Sequence, residues 1–258
     1  MKSLLPIALA WVLLVGSAFA GVRFEAVTRG DSGLVDAHVR AVVSGSNIRV
    51  EYLEGSAVAE AGEYMLSHDG GKTLYWVEPA TRTYNKFDTD AMMAAMGSMV
   101  QGVRALHVRF QAPKVEKLLE EDGGLVAGMP TRHYRYRTTY TATAESLGIV
   151  KTSTNTVEED IWCSSALTDP GLGAWLNKQP TKTGDAQFDS IIAAEMAKVQ
   201  GFPLKRITVT RSVDPADKEE HVSHAEMEVL NLRQETVSDS EFKLPANYVE
   251  VKPRREEE

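Results

Sequence analysis

The sequence predicts a mainly β chain of the α+β class, an antiparallel run of strands interrupted by two amphipathic helices. Three features carry that expectation. Apolar and polar residues alternate over short runs between Gly-, Asp- and Asn-rich turns, the period of strands with one buried face. The period lengthens toward that of a helix in two stretches, 88–100 and 185–199. No polar linker is long enough to divide the chain, so residues 21–251 read as one domain.

Ahead of that domain, residues 1–20 have the three parts of a secretory signal peptide. Lys2 supplies the positive start, Leu4 to Val15 an apolar run broken by Pro6, and Ala18-Phe19-Ala20 the small residues a signal peptidase reads. Cleavage is expected between Ala20 and Gly21, giving a periplasmic or extracellular protein. The run falls short of the roughly 20 apolar residues that span a bilayer, so the mature chain is not expected to be transmembrane.

The first strand is Val22 to Val27, and the second, Ala37 to Val43, follows the Gly30-Asp31-Ser32-Gly33 turn. Gly45-Ser46-Asn47 leads into Ile48 to Tyr52, where Ile48, Val50 and Tyr52 share one face and Arg49 and Glu51 the other. Glu63 to Ser67 and Thr73 to Val77 flank Asp69-Gly70-Gly71, a hairpin signal because glycine accepts positive φ. Arg82-Thr83-Tyr84 adds a short strand. Asp88-Thr89-Asp90 then offers N-caps for a helix whose Met92, Met96 and Met99 form one stripe.

Strands resume with Leu106 to Phe110, while Val115 to Leu119 fits strand or helix equally. Gly123-Gly124 reads as the turn into a long strand from Arg132 to about Ala142. Tyr134, Tyr136 and Tyr140 would share its core face, with His133, Arg135 and Arg137 opposite. Lys151 to Cys163 would pair antiparallel with it. After the irregular stretch 164–184, Asp185 can cap a second helix with an apolar stripe of Phe188, Ile191, Ile192, Met196 and Val199. Leu204 to Val213 and His221 to Leu232 complete the strands, and 252–258 reads as a disordered charged tail.

Composition and motifs exclude more chemistry than they assign. With 36 acidic against 28 basic residues and a net charge of −8, charge alone favours neither nucleic acid nor anionic membrane as partner. The single Cys163 permits no internal disulfide, and Ile161 on the same strand face points to a buried thiol. His221 and His224 would lie on opposite faces of a strand, so no metal pair is expected. Glu158, Glu159 and Asp160 likewise divide between two faces rather than forming an acid/base pair. There is no Gly-x-Ser-x-Gly elbow, and Gly70-Gly71-Lys72-Thr73 lacks the rest of a phosphate loop. No catalytic residue, metal or cofactor is assigned, and the chain is not expected to be an enzyme.

Four stretches carry a family resemblance. They are Glu63 to Ser67 with Asp69-Gly70-Gly71-Lys72-Thr73-Leu74-Tyr75-Trp76-Val77, Pro79 and Tyr84; Gly128-Met129-Pro130-Thr131-Arg132-His133-Tyr134; Gly201-Phe202-Pro203-Leu204-Lys205; and Phe242 to Tyr248. Together they resemble the exported bacterial family called domain of unknown function 4412, which has no established activity. More distantly, the order of elements is similar to the periplasmic lipoprotein-carrier superfamily. That second resemblance implies a curved antiparallel half-barrel sheet with the two amphipathic helices on its concave side, a face that receives acyl chains.

The resulting expectation is a non-enzymatic periplasmic binding protein holding a lipid, a lipoprotein acyl chain or another apolar ligand. Its pocket would be lined by Met92, Met96, Met99, Tyr75, Trp76, Tyr134 and Tyr136. The alternative is an envelope module that binds another protein and no small ligand. A hydrolase or metal-binding protein ranks last.

Overall fold

The computed structural model describes residues 21–89, 91, 109–111, 113–146, 149–169, 171–172, 186–198, 200–214 and 219–251. Among these, the strands in chain order are β1 Gly21–Gly30, β2 Ala37–Ser44, β3 Asn47–Tyr52, β4 Tyr64–Ser67, β5 Thr73–Glu78, β6 Thr83–Asp88 and β7 Arg109–Phe110. There follow β8 Lys114–Val126, β9 Met129–Ser146, β10 Ile149–Ser164, β11 Phe202–Val213, β12 Glu220–Glu235 and β13 Val249–Glu250. All belong to one 13-stranded sheet.

The order across the sheet is β13-β6-β5-β4-β3-β2-β1-β12-β11-β10-β9-β7, with β8 also pairing β9. Sequential hairpins build β1–β6 in one direction and β9–β12 in the other. The two halves join where β1 runs antiparallel to β12, from Gly21 opposite Glu235 to Gly30 opposite Ala225. The only parallel contact among the described strands is β13 on β6.

Alternation decides what each face carries. Val22, Phe24 and Ala26 of β1 point the same way as Val39, Ala41 and Val43 of β2 and Ile48, Val50 and Tyr52 of β3. These join Leu204 of β11 and Val229 of β12 in the main core, which we call the core face. Phe24 meets Phe202 edge-on with ring centroids 5.4 Å apart, a favoured aromatic geometry. Leu167 and Leu172, from the connection between β10 and β11, cover part of this face. Asp169 fixes that connection by accepting from Gly45 N at 3.1 Å and Gly171 N at 2.9 Å.

The opposite face of β4–β6 is also buried. Tyr64, Leu66 and Val77 form a cluster that Leu244 and Tyr248 cover from the C-terminal segment. That segment begins with a 3₁₀ turn, Asp239–Phe242, whose Ser238 hydroxyl accepts from Ser240 N and whose Phe242 is 2% exposed. Sequence predicts neither the 3₁₀ turn nor β13, because each is too short to show a period.

The expected α+β class, with two amphipathic helices on a half-barrel, is not what forms. The described chain is nearly all β in one large sheet. Residues 92–100, the bulk of the first expected helix, lie outside the described residues. The second expectation meets α1, Ala186–Ala197, but its apolar residues are not gathered on one side. Apolar residues follow one another directly along its sequence, so successive positions spread round the helix axis and leave no single stripe.

The turn expected at Gly123-Gly124 lies elsewhere. That pair does not end β8; the register shifts between Asp122 and Gly124, so the pair forms a bulge within the strand. A Cβ on Gly123 would stand 2.5 Å from Thr131 Oγ1 and 2.8 Å from Trp162 Cδ1, which explains the glycine. The chain instead reverses at Ala127-Gly128, between the paired Val126 and Met129, with φ of 49° and 78°. Positive φ at both central residues is the two-residue hairpin turn whose twist suits flanking strands.

Candidate functional site

The seven residues expected to line one pocket are not brought together as a set. Met92, Met96 and Met99 lie outside the described residues. Tyr75 and Trp76 are adjacent in β5 and therefore face opposite ways. Trp76 packs on the main core, 5.7 Å from Tyr52, and donates from Nε1 to Glu63 at 3.2 Å. Tyr75 lies on the other face, 6.1 Å from Tyr84 and 5.9 Å from the His68 ring. Tyr134 and Tyr136 do form a pair, stacked at 6.2 Å. With Ile161 and Cys163 they make a separate buried cluster, and burial pushes the Tyr136 phenol above its usual range.

Beside that cluster stands a group of charges that sequence reasoning missed. In β10, Val157, Glu159, Ile161 and Cys163 share one face, so Glu159 occupies an apolar phase and is 3% exposed. Lys198, one residue past α1 and 1% exposed, donates its ammonium to Glu159 Oε2. Across the pairing of Ile161 with Arg206, Arg206 Nη1 lies 3.7 Å from Glu159 Oε1. Arg206 Nε is buried and has no hydrogen-bond partner. The signal that would have found this site is the charged residue standing where alternation demands an apolar one. Without that test, Glu159 reads only as one of three consecutive carboxylates.

A buried lysine and glutamate so placed tie the end of α1 to the sheet. Their desolvation offsets much of their attraction, so the pair specifies position more than it adds stability. The connection between β10 and β11 closes at Gly201, which has φ +101° and whose position leaves 2.7 Å between a would-be Cβ and Ser164 O. Asp169, Leu172 and Lys198 therefore fix the described parts of this connection to the sheet.

The opposite face of the long strands is ionic. His133 Nε2 lies 2.6 Å from Asp160 Oδ1, and its Nδ1 lies 3.2 Å from Glu121. Its ring stacks on Trp162 at 4.2 Å. Arg135 Nε donates to Asp160 at 2.8 Å, and Arg137 donates to Glu158. Glu158 and Asp160 thus serve the ion pairs while Glu159 faces the core. The division between faces expected from sequence is correct; that the inward residue is a charge with a partner is new. His224 Nδ1 meets Asp31 at 3.0 Å, holding the Asp31 carboxyl below its usual range.

Nearer the centre of the sheet, the same face holds a pocket of about 190 Å³ lined by Arg23, Arg40, Val42, Arg49, Glu51 and Glu241. The Glu235 carboxylate raises the Arg23 pKa by hydrogen bonding at 2.7 Å, and Glu241 adds a second contact at 2.8 Å. Among the described residues, no group of His, Cys, Asp and Glu is arranged to hold a metal ion. None of the described helices is long and apolar enough to cross a membrane.

Comparison with known proteins places part of the chain. The crystal structure of an uncharacterized conserved protein from Thermus thermophilus is similar over 91% of this chain and 91% of its own, at 11% identity and a TM-score of 0.37. No curated protein matches. The resemblance to lipoprotein carriers gains no support from these matches. Residues 146–248, from the last residue of β9 to the residue before β13, match the family described as Domain of unknown function (DUF4412).

Proposed function

We propose that this chain is an exported, non-enzymatic binding protein for a lipid or other apolar ligand with an acidic end. The ligand would lie on the core face, beside Tyr134, Tyr136 and Arg206. One observation carries the reading: Arg206 Nε is buried without an acceptor at the edge of an aromatic patch. A buried guanidinium N–H left unpaired costs about 1–3 kcal/mol, and a ligand carboxylate or phosphate would supply the missing acceptor. The aromatic patch supplies apolar contact for the rest of the ligand.

Native mass spectrometry of protein purified from periplasm without detergent tests both parts. A mass that begins at Gly21 supports export. Extra mass removed by organic extraction, and reduced in Arg206→Met, supports the acidic-ended ligand. A bare mass that stays bare after incubation with phospholipids and lipopeptides sinks it.

The second reading is an envelope module that binds a protein partner. It is favoured by the burial of Tyr134 and Tyr136 to 4% and 5% exposure against Ile161 and Cys163, the packing of a filled core. Crosslinking in native extracts separates the two: a specific partner without bound lipid supports the module.

A further inference from the structure

The pocket on the opposite face is independent of the core-face site and has a chemistry of its own. Arg23 of β1 stands directly opposite Val42 of β2, and Val42 opposite Arg49 of β3. Arg40 lies two residues from Val42 on the same face. Three strands therefore aim three guanidinium groups at one space floored by a buried valine. We propose that this pocket is a binding site for a small tetrahedral oxyanion, a phosphate group.

Three properties point to that ligand. First, two of the three cations are held in place. Arg23 is fixed by Glu235 and Glu241, and the Arg49 guanidinium lies 3.8 Å over the Tyr64 ring. Such positioning lowers the ordering cost of binding. Second, the ion pairs of Arg40 and Arg49 are long: Arg40 reaches Glu25 at 3.4 Å and Arg49 reaches Glu51 at 3.4 Å. Charge-assisted bonds of full strength are about 2.7–2.9 Å, so both retain donor capacity for a better acceptor.

Third, the lining carries three guanidiniums against two carboxylates, Glu51 and Glu241, while Glu235 and Glu25 reach Arg23 and Arg40 from outside it. A dianion is repelled by both carboxylates. Glu241 is neutralised by two short contacts with Arg23, at 2.8 and 2.9 Å. Glu51 is the loosely held one, and it yields its place to the ligand. A planar carboxylate matches one guanidinium fork, whereas a phosphate presents oxygens in several directions and suits donors converging from three strands.

The phosphate has two sources, the free ion or a lipid headgroup ending in a phosphate monoester. Isothermal titration of the full chain with inorganic phosphate is the first arm, with sulfate and chloride as controls. Cosedimentation with phosphatidylcholine vesicles containing phosphatidic acid is the second. The expected result is saturable one-to-one binding, weakened about tenfold in Arg40→Gln and in Arg49→Gln and strengthened in Glu51→Gln. Unchanged unfolding midpoints show that these variants fold. Vesicle binding that needs Arg40 and Arg49, with a silent first arm, identifies the headgroup as the source. Binding in neither arm, equal binding of chloride, or binding undiminished in both arginine variants overturns the site. None of these outcomes bears on the Arg206 test of the core face.

Discussion

The two halves of the sheet bury their strands differently. β1–β6 are 4 to 10 residues long, and where the C-terminal segment lies across β4–β6, apolar clusters form on both faces. β8–β12 are 12 to 18 residues long and bury mainly one face. Their other face is a ladder of ion pairs, with His133, Arg135 and Arg137 matched to Asp160, Glu121 and Glu158. Length in the second half therefore follows the backbone ladder and cross-strand charge pairing rather than the extent of the core. Exposed ion pairs contribute little each, so stability should concentrate in the first half and at the seam.

The largest test of that contrast is Phe24→Ala. Phe24 is 1% exposed and touches Phe202, linking the seam strand β1 to β11. Its loss should cost about 3–5 kcal/mol, read as a lower urea midpoint at unchanged slope. A loss under about 0.5 kcal/mol, the level of an ordinary surface change, would break the view that the seam holds the halves together.

Lys198→Met comes next, at about 3 kcal/mol, because it leaves the buried Glu159 carboxylate with only the longer contact to Arg206. Adding Glu159→Leu should recover most of that loss in chemical denaturation. If the double variant stays as unstable as the single, the pair is not an isolated unit and the charged cluster extends further.

Arg137→Gln should cost no more than about 1 kcal/mol, since its pair with Glu158 is partly exposed. A loss as large as that at Phe24 would show that the ionic face is structural, erasing the contrast between the halves.

The smallest effect is a slope against pH. Burial pushes the Glu25 carboxyl up, but hydrogen bonds from His38, Asn231 and Arg40 outweigh it and hold its pKa below 4.5. The stability it contributes is thus complete above pH 4.5 and is lost as pH falls through the lowered folded value. Glu25→Gln should therefore flatten the fall of the urea midpoint below pH 4.5. A parallel acid slope in the variant would assign the effect elsewhere.

Strands are legible in the sequence wherever one face is buried and the other polar. Ile48, Val50 and Tyr52 alternate with Arg49 and Glu51, and their segment forms β3 within one residue of expectation. The long tyrosine strand and its threonine-rich partner also pair antiparallel, with Tyr134 opposite Ile161. The segment 114–126 is half-legible, because its bulge glycines imitate a turn and its true turn, Ala127-Gly128, lacks the usual Asn or Asp. The candidate pocket is least legible: alternation puts Tyr75 and Trp76 on opposite faces, so they cannot line one pocket together.

By itself the sequence determined the periods, and with them the strand identities, the split of Glu158 and Asp160 from Glu159, and a buried Cys163 at 1% exposure. Those properties are local, because side-chain direction in a strand follows from its two-residue repeat. Tertiary structure alone decided that β1 closes on β12, that Lys198 meets Glu159, and that Arg23, Arg40 and Arg49 share one pocket. Each of these depends on register between strands or on a long connection returning to the sheet. A period seen along one strand contains no information about which residue will stand opposite it.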